Sequence, residues 1–167
     1  VTGAFFKPAG STGKLPAILY LCGHSDTGFR YESYQRVILN LAKKGFAVLA
    51  IDPICQGERL QYFDPEQGKS LIGGPVAEHS YAGLQFLPVG RTLAGVRVWD
   101  AVRALDYLAG RPDVDMTRVG VHGRSGGGTL SAYVGALDDR IAAAAPECYI
   151  TSFRRLFQSI GPQDAEQ

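Results

Sequence analysis

Val119-Gly120-Val121-His122-Gly123-Arg124-Ser125-Gly126-Gly127 decides how the rest of the chain reads. An apolar run of strand type ends at Gly123, and an amphipathic pattern on Leu130, Tyr133, Val134 and Leu137 follows at helical spacing. Between them lies G-x-S-x-G. The pattern alone is weak, because glycine and serine are common. Set between a strand and a helix, it predicts a nucleophile elbow, a tight turn that lifts a serine Oγ above the end of a sheet. Small neighbours let strand and helix approach, and the N–H groups of the helix N-terminus face any anion that develops there. The simpler alternative is a glycine-rich strand-to-helix turn with an incidental serine.

Working outward, the same alternation recurs. Pro16–Cys22 is a continuous apolar run followed by a polar, glycine-punctuated loop. Tyr34, Val37, Ile38 and Leu41 carry helical spacing, which Lys43, Lys44 and Gly45 close. Phe46–Ile51 reads as a second buried strand ending at Asp52-Pro53, and 54–90 as an irregular excursion over the surface. Val98, Ala101, Val102, Leu105 and Leu108 mark a long helix stopped by Gly110 and Pro112, and Ile141–Ala145 is a further strand. Strand, helix, strand, helix with doubly apolar strands predicts an α/β fold, a mostly parallel sheet flanked by helices. Ligands then bind beyond the carboxyl ends of the strands, which draws attention to the loops after Cys22, Asp52, Gly123 and Pro146.

Composition narrows the function. Hydrophobic residues make up 46% of the 167, enough for a core, and 17 Lys plus Arg against 16 Asp plus Glu leave a net charge of +1. That balance argues against a dedicated nucleic-acid or anionic-membrane binder, and no apolar run approaches the roughly 18 residues of a membrane span. Cys22, Cys55 and Cys148 are too far apart for a zinc or disulfide framework and are expected to be buried, inert thiols. Gly23 and Gly28 have phosphate-loop spacing, but Phe29-Arg30 follows where Lys-Ser/Thr is required, and no G-x-G-x-x-G opens a helix.

With these motifs in place, the chain resembles an α/β-hydrolase of the acetyl xylan esterase and dienelactone-hydrolase-like type. The resemblance runs through Pro16–His24, Gly45–Pro53 with Gly57-Glu58 after it, Val98–Leu108, Asp115–Val121 and Gly123–Gly127. It implies a serine esterase domain over 1–167 that cleaves small acyl esters, such as an acetyl group on a carbohydrate, without metal or organic cofactor. Ser125 would be the nucleophile and the N–H groups of Gly126 and His24 the oxyanion donors. A prolyl-oligopeptidase-like peptidase shares the G-x-S-x-G-G turn, and a truncated, non-catalytic hydrolase is the alternative outside enzymes.

One departure matters. In this fold an acid and then a histidine follow the serine in chain order, yet no histidine follows Ser125. Asp138 and Asp139 end the serine's own helix, and Asp164 lies in a polar tail. The histidines are His24, His79 and His122. His122 reads as a satisfied core residue, His79 as part of the excursion, and His24 as a backbone donor. Asp52 and Glu58 are expected to brace loops, Trp99 and Asp100 to pack, and Arg124 either to meet substrate or to pair with a carboxylate. The chain, which starts Val1-Thr2-Gly3, is therefore expected to be part of a larger hydrolase. On this expectation the C-terminal strands are lacking, and a C-terminal segment or second polypeptide supplies the acid and the base.

Overall fold

A computed structural model describes residues 1–158. Five strands form the main sheet: β1 (Gly3–Phe6), β2 (Leu15–Leu21), β3 (Ala47–Ile51), and two later strands carrying the remaining apolar runs. Between β3 and these lies a two-stranded hairpin, β4 (Phe63–Asp64) with β5 (Lys69–Ser70). The later strands are β6 (Val114–Arg124) and β7 (Ala143–Glu147). The order is β1-β3-β2-β6-β7, with β1 antiparallel to β3 and every other pair parallel. The sheet is thus mostly parallel and flanked by helices.

Successive strand residues face opposite layers, and this decides which helix covers which face. Ala17, Leu19 and Leu21 of β2, with Leu49, Ile51 and Val121, pack against Ala101, Leu105, Leu108, Leu130 and Val134. Those last five lie on α3 (Leu93–Ala109) and α4 (Gly126–Leu137). Tyr20, Val48 and Ala50 face the other way, onto Tyr34 and Ile38 of α1 (Glu32–Lys43). The helix ends follow from local chemistry. Glu32 sits in the first turn of α1 and Lys43 in its last, complementing the helix dipole. Thr92 Oγ1 caps α3 by accepting from Gly95 N–H at 3.0 Å, and Gly110 ends it. Ser152 caps the short α5 (Phe153–Phe157).

Four expectations need correction. The stretch 54–90 is ordered and partly buried: it carries the hairpin and helix α2 (Pro75–Phe86), whose Glu78 and His79 have no exposed surface. Hydropathy misses α2 because its buried residues are Glu78, His79, Ala82 and Gly83 while Val76, Tyr81 and Leu84 are exposed. Trp99 is 59% exposed, with the Arg103 guanidinium 4.4 Å over its ring, because the buried side of α3 runs through Arg97, Asp100, Ala101 and Ala104. The last strand begins at Ala143 rather than Ile141, since Ile141 N–H is turned back to Asp138 O. Cys22 and Cys55 are buried as expected, but Cys148 is exposed where the chain leaves β7 with φ 58°.

Candidate active site

Ser125 stands between β6 and α4 with φ 56° and ψ −122°, a backbone conformation that costs a non-glycine residue on the order of 1–3 kcal/mol. Its surroundings hold it there. Its N–H donates to Glu147 O on β7 at 2.9 Å, and its C=O accepts from Thr129 N–H at 2.9 Å, one turn into α4. The first turn of α4 is pressed onto the sheet: a Cβ on Gly127 would overlap Leu21 O and come within 2.8 Å of Cys22 C, and one on Gly128 would overlap Glu147 O. Only glycines fit. The result is an exposed serine side chain at the carboxyl end of the sheet, directly before a helix N-terminus whose first residue, Gly126, is buried.

The loop after β2 closes against this turn. A Cβ on Gly23 would lie 3.1 Å from Ser125 Cβ and 2.5 Å from Arg124 O. Side chains from three elements fix the loop. Tyr34 of α1 donates its hydroxyl to His24 O at 3.3 Å. Gln56, fully buried, donates Nε2 to Gly23 O at 3.0 Å and accepts Ser25 N–H on Oε1 at 3.4 Å. His79 of α2 places Nδ1 3.2 Å from His24 Nε2, the rings 5.0 Å apart and tilted by 45°. Burial pushes the Cys22 thiol at the base of this loop well above its usual range, with the Asp52 charge adding to it, so it stays protonated at neutral pH.

Asp52 and Glu58 brace, as expected. The buried Asp52 carboxylate accepts Phe29 N–H at 2.9 Å, Glu58 N–H at 3.4 Å and Thr2 hydroxyl at 3.3 Å, and Glu58 pairs with Arg30 at 2.6 Å. Asp100 pairs with Arg59 at 2.5 Å. His122 is satisfied by Ala145 O at 2.8 Å and stands edge-on to Tyr20. Arg124 points its guanidinium at the Glu147 carboxylate, 3.6 Å away, and at the Cys148 thiol. Asp138 is engaged by Arg140 at 2.6 Å, and Asp164 lies outside the described residues. Ser125, Thr129, Cys148, Tyr149, Ile150 and Leu156 line a pocket of about 500 Å³. Among the described residues no group of three or more His, Cys, Asp or Glu could hold a metal ion, and no helix is long and apolar enough to cross a membrane.

The structure therefore brings Ser125, Gly126, Arg124 and the His24 loop together, and joins His79 to them through His24. Sequence reasoning did not single out Gln56, whose signal was only a polar residue in the loop leaving β3. It read Tyr34 as an apolar helix residue and missed the reach of its hydroxyl.

A family model for acetyl xylan esterase (AXE1) matches residues 1–165. YtaP of Bacillus subtilis (strain 168) is 29% identical over 157 residues, 86% of this chain and 46% of its own length. The solved acetyl xylan esterase 1 from Thermoanaerobacterium sp. JW/SL YS485 superposes with a TM-score of 0.67 at 27% identity, covering 92% of this chain and 45% of the other. The acetyl xylan esterase from Paenibacillus sp. R4 does so with a TM-score of 0.64 at 28% identity, over 93% and 47%. The chain thus spans less than half the length of these relatives. With its mostly parallel sheet flanked by helices, the chain has the α/β-hydrolase architecture and belongs to the acetyl xylan esterase (AXE1) family.

Proposed function

We propose that the protein containing this chain is a carboxylic ester hydrolase in which Ser125 Oγ attacks the ester carbonyl. The observation that carries this is the positive φ of Ser125 at the β6–α4 junction, held by Gly127 and Gly128 against the ends of β2 and β7. A strained, exposed serine facing a helix N-terminus is an arrangement suited to acyl transfer. The tetrahedral oxyanion is received by the N–H of Gly126 and by the loop of His24. The serine proton passes to a histidine oriented by a carboxylate, both supplied by a part of the protein beyond these 167 residues or by a second polypeptide. That base then returns the proton to the departing alcohol, and water releases the acyl group by the reverse sequence.

The substrate in this reading is a small acyl ester, in the first instance an acetyl ester on a carbohydrate. Support comes from the family match and from the acetyl xylan esterases among the structural neighbours. The pocket of about 500 Å³ beside Ser125 has room for a small acyl group. Arg124, next to Ser125 in the chain and paired with Glu147, is the candidate substrate contact.

The test is turnover of p-nitrophenyl acetate by the whole protein and by Ser125→Ala. Ester turnover that Ser125→Ala lowers by about 10³-fold or more, with no cleavage of dipeptide amides, is the expected result. Amide cleavage would favour the peptidase, and wild-type turnover in Ser125→Ala would overturn the role of the serine.

A further inference from the structure

We propose that His79 is a positioning residue for ester hydrolysis, acting through His24 on the loop that receives the oxyanion; this rests on the function proposed above.

His79 lies on α2, in the excursion between β3 and α3, and its side chain has no exposed surface. Its Nδ1 is 3.2 Å from His24 Nε2. Two imidazole nitrogens at that distance form a hydrogen bond when one carries a proton and the other does not, so the contact fixes the orientation of the His24 ring. Tyr34 holds the carbonyl of His24, and Gln56 holds the peptide groups on either side of it, Gly23 O and Ser25 N–H. His79 adds a contact to the side chain of the same residue. The backbone of Gly23 lies against Ser125 in turn, so a rotation at His24 would be felt at the nucleophile.

α2 is itself anchored by the preceding residue. The Glu78 carboxylate, fully buried, accepts Gln61 N–H at 2.8 Å, Tyr62 N–H at 3.2 Å and the Ser70 hydroxyl at 2.5 Å. Adjacent helix residues point about 100° apart. Glu78 therefore ties α2 into the excursion while His79 reaches out of it to the site. The excursion becomes part of the catalytic apparatus. A donor loop displaced by about 1 Å costs on the order of 10²-fold in rate, an effect that appears in the transition state and leaves substrate binding nearly untouched.

The experiment uses the whole protein and four variants, with kcat and KM measured on p-nitrophenyl acetate. His79→Leu keeps the buried volume without the hydrogen bond. His79→Asn keeps an amide near the position of Nδ1. His24→Ala removes the partner, and the double variant closes the cycle. The expected result is a kcat lowered about 10- to 100-fold in His79→Leu with KM within about twofold, and largely restored in His79→Asn. The double variant should be no worse than His24→Ala alone. A kcat within twofold of wild type in His79→Leu overturns the proposal. So does a double variant whose losses multiply, or a His79→Leu loss that follows only the fraction of unfolded protein. Ser125→Ala, run in parallel, separates the two levels. If it abolishes turnover while His79→Leu is unaffected, only the positioning role falls; if turnover survives Ser125→Ala, the esterase reading falls with it.

Discussion

The turn at Ser125 and the excursion at 54–90 are both held tightly, but by opposite means. The turn is built from absence of side chain: Gly123, Gly127 and Gly128 let α4 and β6 touch the ends of β2 and β7, with Leu21, Val121, Leu130 and Val134 sealing the layer beneath. The excursion is built from buried polar groups. Glu78 accepts three hydrogen bonds, Gln56 spans the loop after β2, and His79 meets His24, around a small apolar cluster of Ile54, Cys55, Ala82 and Leu93. Steric fit tolerates no added volume, whereas a polar network tolerates no lost partner.

Substitutions can break that contrast in order of size. Gly127→Val in the turn should destabilise the whole protein by about 3 kcal/mol or more, because the new side chain meets main-chain atoms of β2 that cannot yield. Chemical denaturation reads this directly, and a loss under about 1 kcal/mol would show that the helix–sheet contact is looser than described. Glu78→Ala in the excursion should cost about 2–4 kcal/mol, since Gln61 N–H, Tyr62 N–H and the Ser70 hydroxyl lose their acceptor. Protease susceptibility should rise within 60–72 before it rises anywhere in the sheet. Global unfolding with no local phase would erase the distinction between the two regions. Trp99→Ala sharpens the contrast from the other side. That indole is 59% exposed and lies under the Arg103 guanidinium, so its loss should stay within about 1 kcal/mol in the same denaturation. The smallest effect belongs to the amino-terminal end of β6. The hydrogen bond from Arg111, with that from Lys7, lowers the Asp113 carboxyl to about 2. Its contribution is present above the ordinary carboxylate range and is lost as pH falls from about 4 towards 2. An Asp113→Asn protein should therefore lose less stability than wild type across that window.

The same contrast explains what could be read from the sequence. β2, β3, β6 and the helices α1, α3 and α4 announce themselves because apolar residues recur at strand or helix period, and Gly123–Gly127 marks the turn by its place between a strand and a helix. Helix α2 does not, because what it buries is Glu78 and His79, residues that a hydropathy reading assigns to solvent. Trp99 misled in the opposite sense: an indole on a long helix suggests packing, yet α3 turns Arg97 and Asp100 inward instead. At the site, Ser125, Gly126 and Arg124 were visible as a motif. The contacts of Tyr34, Gln56 and His79 with the His24 loop join residues from three separate elements, and no local spacing encodes them. The base expected in a complete triad has no counterpart after Ser125, where the given sequence carries no histidine.

The central claim is that Ser125 is an activated nucleophile in the whole protein. Its most direct test is treatment with a fluorophosphonate followed by peptide mass spectrometry. The account predicts a single phosphonyl adduct on Ser125, abolished in Ser125→Ala and slowed by a competing acetyl ester. An intact, unmodified Ser125 in protein that is turning over p-nitrophenyl acetate would contradict it.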